Sequence, residues 1–301
     1  MANSLPATAH TRGELCARMD AFLDALSARD ASQVAWAEHV VFTENNVQLA
    51  VGDGIWNTVT AIPRDYDLKA ADPATGQVSW FGFVTEGPDT AVMGLRLKID
   101  AGRVAEAEAI ICRPHELGPF PVIDLDRRPR ESLLADVPQE QRTARERMIA
   151  LANGYFDTLQ LNDGKLFTHF TDDCDRIENG LQTTNVEIEG YPIAAMGTGD
   201  QFRLGQYKYD DRLRDRRFPL VDEQKGLVIA AGFIDHSGRM TEVTWTDGST
   251  HDSIFHFPHS FALLEMFKIV DGKIADVEAV FITVPYNMPS PWIAPQPYVV
   301  R

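Results

Sequence analysis

The chain contains two sets of matching motifs in the same order, and this repetition limits its possible folds more than any other feature. The segment KIDAGRVAEAEA, which begins at Lys98, aligns without gaps with KIVDGKIADVEA, which begins at Lys268. Residues 41–46 (VFTENN) match residues 175–180 (DRIENG) in the same way. A Thr-x-x-Glu helix-start pattern precedes each of these matches, at Thr11 and Thr143. We therefore interpret the chain as two tandem copies of one domain.

Length and proline content divide the chain further. A length of 301 residues suits two domains of ordinary size. Proline-rich segments follow each copy, and such segments favour linkers and extended structure over helices. We predict copy one at residues 1–113, a linker at 114–141, copy two with insertions at 142–285, and an extended tail at 286–301, which is expected to wrap the body or a neighbouring subunit.

Each copy begins with a helical pattern and continues with strand-like runs. Apolar residues recur at helical spacing after each Thr-x-x-Glu pattern, and short second helices are expected at residues 31–38 and 165–170. Long hairpins are expected across Ala101-Gly102 and Asp271-Gly272, because glycine allows the positive φ that tight turns require. Helices followed by a meander of antiparallel strands predict an α+β fold.

This pattern resembles the SnoaL-like branch of the nuclear-transport-factor-2-like (NTF2-like) superfamily. The resemblance covers nearly the whole chain, once per half. It depends on Thr-Glu-Asn at residues 43–45, Arg-Ile-Glu-Asn-Gly at 176–180, Arg-Arg-Phe at 216–218 and Pro-Tyr-x-Met at 285–288. It implies two tandem cone-shaped domains, each with helices packed on a curved, mainly antiparallel sheet and a pocket at the wide end. Members of the superfamily include ketosteroid isomerase, limonene-epoxide hydrolase, scytalone dehydratase, polyketide cyclases and cofactor-free lyases, and many others only bind or dimerise.

Charge and motif content narrow the function classes. With 28 basic and 44 acidic residues, the net charge of −16 disfavours nucleic acid and anionic membranes as partners. The first twenty residues show no signal peptide or membrane anchor, so a cytoplasmic location is expected. The sequence has no glycine-rich phosphate loop or nucleophile elbow, and its cysteine and histidine spacings match no standard metal motif. We therefore expect a small-molecule substrate, no cofactor, no metal and a homo-oligomer.

The DRIENG segment supplies the first candidate site residues. Alternate residues of a strand share a face, so Arg176 and Glu178 point to one side while Asn179 points to the other. If Arg176 and Glu178 face the pocket, Glu178 can act as a general base and Arg176 can stabilise an anion. The alternative is that the two side chains only pair with each other, as buried charges usually must.

The remaining candidates lie in four places. His256 and His259 precede a predicted strand at the edge of the cone, where an imidazole is a natural proton carrier. Arg217 belongs to an arginine cluster that either binds an anionic group or forms salt bridges, and Tyr286 could stabilise an oxyanion with Arg176 or Asn179. Glu44 and Asn45 match Glu178 and Asn179 of copy two. A Glu-Asn pair present in both copies indicates substrate binding or, more economically, a turn that ends the strand.

These features favour a cofactor-independent lyase or isomerase that moves protons on a hydroxylated aromatic small molecule, as in dehydration or retro-aldol deformylation during aromatic catabolism. The catalytic set would be Glu178, His259, His256 and Arg176, with a pocket in copy two. Substrate-binding candidates are Asn179, Arg217, Tyr286, Glu44 and Asn45. The alternatives are a binding or dimerisation module for a hydrophobic ligand, or a polyketide cyclase or epoxide hydrolase.

Overall fold

The computed structural model describes residues 10–116 and 124–293. We call residues 10–116 unit one and residues 142–285 unit two. The elements of unit one are α1 (Arg12–Ser27), β1 (Trp36–Glu44), β2 (Val47–Leu49), α2 (Ile55–Thr58), β3 (Val59–Ala61), β4 (Asp67–Asp72), β5 (Gln77–Glu86), β6 (Asp89–Asp100) and β7 (Arg103–Cys112). The short helix α3 (Glu131–Leu134) lies between the units.

Unit two has strands that are longer than their counterparts β4 and β7 in unit one, and it has an additional small hairpin. Its elements are α4 (Arg145–Leu161), β8 (Phe170–Glu178), β9 (Leu181–Gln182), α5 (Thr198–Leu204), β10 (Arg212–Asp222), β11 (Leu227–His236), β12 (Glu242–Thr244), β13 (Thr250–Asp252), β14 (His259–Val270) and β15 (Lys273–Pro285). No helix among the described residues is long and apolar enough to cross a membrane.

The two main sheets share one strand order. In unit one the order is β2-β1-β7-β6-β5, with β4 and β3 both paired to β5. In unit two it is β9-β8-β15-β14-β11-β10. The first long strand of each unit runs parallel to the last one, β1 with β7 and β8 with β15, while the hairpins β6-β7 and β14-β15 are antiparallel. The predicted α+β class is confirmed.

The sheets pack against each other, and each carries a helix on its outer face. Along β14, Leu264 and Met266 join a core shared with Phe81 of unit one. The alternating residues Leu263 and Phe267 face the core beneath α4 instead. A strand with apolar residues on both faces is expected where a sheet is covered on both sides. The space between α4 and its sheet therefore belongs to unit two alone and is separate from the core that the two units share.

Local sequence signals explain some element boundaries and fail at others. Helix α1 starts at the predicted capping box, where the Thr11 hydroxyl accepts a hydrogen bond from the Glu14 N–H. The matching prediction at Thr143 is wrong, because its hydroxyl accepts from the Gly272 N–H and α4 has Ala144 at its N-cap. The short second helix predicted in each copy is also wrong: residues 31–38 contain a 3₁₀ turn and the start of β1, and residues 165–170 are not helical.

The end of the chain bridges the two units as far as it is described. The Asn46 side chain of unit one donates a hydrogen bond to the Pro289 carbonyl, and Arg214 of unit two donates one to the Met288 carbonyl. Arg96 lies over the ring of Trp292, with 4.8 Å between the guanidinium carbon and the ring centroid. The rest of the predicted tail, 294–301, and part of the predicted linker, 117–123, lie outside the described residues.

Candidate active site

Unit two contains a cavity of about 360 Å³ between its sheet, α4 and the segments 188–191 and 254–255. This volume is within the range of small-molecule sites. Apolar side chains of the strands, such as Phe261, Leu263 and Phe281, form much of the wall. The charged and acidic side chains that reach it are Arg176, Glu178, Glu189, Asp210 and Glu265.

Arg176 lies on β8 and is almost fully buried, with 2% of its surface exposed. Its Nε donates to the Thr183 hydroxyl at 3.2 Å, and its Nη2 donates to Gln201 Oε1 at 2.6 Å and to the Tyr207 hydroxyl. Arg176 Nη1 makes no hydrogen bond to a described residue, and the side chain lines the cavity. One guanidinium donor is therefore free to bind a ligand atom that carries negative charge.

Glu178 lies two residues further along β8, and it shares the cavity with Arg176 as strand alternation predicts. Its Oε2 is 3.2 Å from Arg176 Nε and accepts a hydrogen bond from the Thr183 hydroxyl at 2.6 Å. The carboxylate is thus paired but still borders the cavity. Arg176 and Glu178 therefore pair with each other and also line the cavity.

Glu265 is a second carboxyl group in the same cavity. It lies on β14, opposite Ala279 of β15, and Ala279 in turn is opposite Glu178 of β8. Two strand spacings put the Cα atoms of Glu265 and Glu178 about 10 Å apart. Ala279 between them also lines the cavity, and its small side chain leaves room there.

Burial decides the protonation of Glu265. Burial and, to a smaller extent, the negative charge of Glu178 raise the pKa to about 8, although Arg176 and the Tyr155 hydroxyl act in the opposite direction. Among the described residues, no basic side chain forms an ion pair with Glu265. The side chain therefore holds a proton at neutral pH that it can donate.

Four tyrosines, Tyr155, Tyr191, Tyr207 and Tyr209, also line the cavity. Burial raises the pKa of each hydroxyl, so all four remain neutral hydrogen-bond donors at physiological pH. Tyr207 already donates to Gln201 Oε1 at 2.6 Å. The polar end of the cavity therefore offers neutral donors beside the Arg176–Glu178 pair.

A buried Asp–His pair borders the cavity near the ends of β11 and β14. His236 Nε2 is 2.8 Å from Asp210 Oδ1, and His236 Nδ1 has no hydrogen-bond partner among the described residues. The His236 ring stacks on His259, with 4.5 Å between centroids and 17° between planes. Burial raises the pKa of Asp210, and the His236 contact opposes that shift.

The corresponding space in unit one is filled with apolar side chains. In the motif alignments, Phe42 of unit one matches Arg176 of unit two, and Leu95 matches Glu265. Both belong to the buried core of unit one, together with Trp56, whose ring lies 5.2 Å from that of Phe22. Arg176 and Glu265 thus have apolar counterparts in unit one, whereas Glu178 matches Glu44.

Three predicted binding residues serve the ends of strands. Asn179 and Asn45 both have positive φ, and their Oδ1 atoms accept from the N–H groups of Phe281 and Ile111 at 2.9 and 2.8 Å. Glu44 accepts from the Ile55 N–H at 2.7 Å and pairs with Arg113. This geometry matches the structural alternative for the conserved Glu-Asn pair, and none of the three residues borders the cavity.

The other four predicted residues also lie away from the cavity wall. His256 and Tyr286 are exposed. His259 is buried behind Phe255, and its Nδ1 donates a hydrogen bond to the Phe257 carbonyl. Arg217 forms an ion pair with Glu108 of unit one, so it joins the two units.

Glu265 and Asp210 are the cavity residues that the sequence reasoning missed. Glu265 is a single carboxylate within the apolar run FALLEMFKIV of a predicted strand, and that isolation is a signal which could have found it. In the sequence, Asp210 lies next to the arginine cluster and can be taken for one of its salt-bridge partners. In the structure Arg212 and Arg214 pair with Asp235 instead, which leaves Asp210 to His236.

Comparison with protein families gives one match, which covers most of the chain. The model "Domain of unknown function (DUF8021)" matches residues 8–111 and 141–281. The chain belongs to this family. A search of curated proteins finds no match.

Solved structures give further matches. An LEH-like epoxide hydrolase from M. tuberculosis is 17% identical, with a TM-score of 0.24 and coverage of 33% of this chain and 83% of that chain. A candidate ketosteroid isomerase from Kribbella flavida DSM 17836 is 17% identical, with a TM-score of 0.28 and coverage of 42% and 93%. A protein from Sphaerobacter thermophilus is 19% identical, with a TM-score of 0.23 and coverage of 32% and 92%. These similarities assign neither a superfamily nor an activity to this chain.

Proposed function

We propose that unit two is a cofactor-independent lyase or isomerase that transfers protons on a hydroxylated, aromatic small molecule. The observation that carries this proposal is the buried carboxyl group of Glu265, whose pKa is raised by burial, in one cavity with the Arg176–Glu178 pair. Two carboxyl groups with different surroundings are the usual basis for a division into acid and base. Aromatic and aliphatic side chains on the wall suit an aromatic substrate.

Each group has a specific role in an elimination. Glu178 takes a proton from carbon, while the free Nη1 of Arg176 and a tyrosine hydroxyl bind the oxygen on which negative charge develops. Glu265 donates its proton to the leaving hydroxyl, so that water departs as the carbon–carbon double bond forms. The proton on Glu178 then returns to Glu265, either directly or through water. An isomerisation uses the same two transfers, with the second proton delivered to carbon.

We also propose that the chain arose by tandem duplication and that unit one lost its cavity. Reciprocal contacts support this proposal. Arg12 at the start of α1 pairs with Asp222 at the end of β10, and Arg145 at the start of α4 pairs with Asp72 at the end of β4. The same contact thus occurs twice, with the roles of the units exchanged.

A product screen tests the proposed activity. Purified protein is incubated with hydroxylated aromatic compounds, with and without a chelator, and mass spectrometry detects loss of water or formaldehyde. Isomers of unchanged mass are separated by chromatography. We expect product that is insensitive to the chelator and that falls by about 10²–10⁴-fold in a folded Glu265→Gln variant. Full turnover by that variant would contradict the proposal.

The binding-module alternative gives a different result in the same screen. The cavity wall is largely apolar, which suits retention of a hydrophobic ligand as well as catalysis. A compound that raises the melting temperature of the protein but yields no product across the screen would favour the binding module over the enzyme.

A further inference from the structure

The Asp210–His236 pair is a built polar site that the proposed chemistry does not use. Asp210 is 5% exposed and His236 is fully buried. The hydrogen bond between them occupies one carboxylate oxygen, Oδ1. The other oxygen, Oδ2, makes no hydrogen bond or ion pair to a described residue, and Asp210 lines the cavity. Because Asp210 borders the cavity, a ligand or water there can supply the donor that Oδ2 lacks.

The surroundings of His236 keep this oxygen an acceptor. A proton on His236 Nε2 satisfies Asp210, whereas Nδ1 is buried without a partner among Phe255 and Phe261, whose ring centroids lie 4.4 and 4.7 Å away. The geometry therefore favours the tautomer of His236 in which Nε2 carries the proton and donates it to Asp210.

The position of this pair differs from that of Glu265. His236 pairs with His259 at the end of β14, and Glu265 lies six residues further along the same strand. Strand geometry makes this separation about 20 Å along the backbone. Phe261 and Leu263, on the same face as Glu265, line the cavity between the two sites. The cavity thus has polar groups near both ends and an apolar middle.

We infer that Asp210, held by His236, is a second subsite that accepts a hydrogen bond from a hydroxyl or amino group at the end of the substrate remote from Glu265. The ligand it fits is an elongated molecule with an aromatic middle, one oxygen at the Arg176 end and one donor group at the Asp210 end. This inference rests on the proposed function, because it concerns the same cavity. Asp210 would determine specificity and His236 would position it.

Matched ligands test the subsite by binding alone. 4,4′-Biphenol and 4-phenylphenol have nearly the same shape and differ by one hydroxyl, and a methyl ether of the biphenol retains an oxygen acceptor but loses the donor. Calorimetry at constant pH should show that the wild-type protein binds the biphenol at least about tenfold more tightly than either analogue. Equal affinities for the three compounds, or no binding of any of them, would overturn the inference.

Variants assign the preference to residues. In Asp210→Asn the His236 contact holds the amide oxygen, so the amide N–H₂ faces the cavity, and the preference for the biphenol over its methyl ether should be lost. His236→Leu should weaken the same preference, and His236→Gln, which retains a donor, should restore it. Asp211→Asn is the control, because Asp211 pairs with Arg239 outside the cavity wall. An unchanged preference in folded Asp210→Asn would overturn the inference even if Glu265→Gln abolishes turnover, so the two proposals fail separately.

Discussion

At the scale of single residues, the environment of a carboxyl group decides its chemistry. Glu108 and Glu278 occupy matching positions in the two units. Burial opposes ionisation of Glu108, but Arg96 and Arg217 hold its pKa below the usual value. Burial raises the pKa of Glu278 to about 7, against the hydrogen bond from Tyr66. Glu278 is thus a buried carboxyl group outside the cavity, and it provides a control for Glu265.

The raised pKa of Glu265 predicts how stability changes with pH. A carboxyl group whose pKa rises from 4.5 to about 8 on folding binds more protons in the folded state between these values. Its contribution to the free energy of unfolding is therefore complete below pH 4.5 and decreases as the pH rises towards 8. The decrease is on the order of 4 kcal/mol for a shift of this size. Denaturant unfolding of Glu265→Gln should show a flatter profile between pH 5 and 8 than the wild type, and parallel profiles would contradict the assignment.

The sequence could indicate Arg176 and Glu178 but could not place Glu265 beside them. Alternation along one strand requires only the period of a strand, which the residues 175–180 display. The approach of Glu265 depends on the register of β14 with β15 and of β15 with β8, which no local pattern encodes. The sequence also could not place His256 and His259 relative to the cavity: their position before a predicted strand was apparent, but the inward direction of Asp210 and Phe255 was not.

At the scale of elements, matching alanines on β15 and β7 have different surroundings. Ala279 separates Glu178 from Glu265, whereas Ala109, its match in β7, lies in the filled core of unit one. The strand pattern and the hairpin turn at Asp271-Gly272 were predictable from sequence, since both turn residues have positive φ. The cavity was not predictable from sequence, because it depends on how the side chains around Ala279 meet across three strands and the helix.

This difference predicts opposite effects for the same substitution. Ala279→Leu should fill the space between the two carboxyl groups, abolish ligand binding and product formation, and change the melting temperature little. Ala109→Leu should instead overpack a closed core and lower the free energy of unfolding by about 1–3 kcal/mol. Thermal melts and calorimetry of both variants measure these effects. Strong binding by folded Ala279→Leu would show that ligands do not occupy the space between Glu178 and Glu265.

At the scale of the whole molecule, unit one stabilises the sheet that carries the site. The sheets share a core, and the reciprocal pairs Arg12–Asp222 and Arg145–Asp72 close its two sides. Both aspartates are at most 2% exposed, and each also accepts a backbone N–H from the opposite unit. Removal of the arginine from such a pair leaves a buried carboxylate without its counter-charge, which destabilises the folded state. The loss of a surface ion pair has little effect by comparison.

Removal of either arginine should therefore affect the whole chain. Arg12→Met and Arg145→Met should each lower the free energy of unfolding by about 1–3 kcal/mol and should do so to a similar extent. Arg203→Met, which breaks an exposed pair with Asp200, should change it by less than about 0.5 kcal/mol. Chemical denaturation measures all three variants. A loss confined to one of the two buried pairs would contradict the symmetry between the units.

The most direct test of proton transfer by Glu265 is the pH dependence of kcat/KM, measured with the first compound that yields product. The free enzyme should lose activity as the pH rises through about 8, because Glu265 must hold a proton to act as the acid. This descending limb should be absent from the residual activity of Glu265→Gln and should remain in the control Glu278→Gln. A limb near pH 8 that persists in Glu265→Gln would contradict the assignment of the acid to this residue.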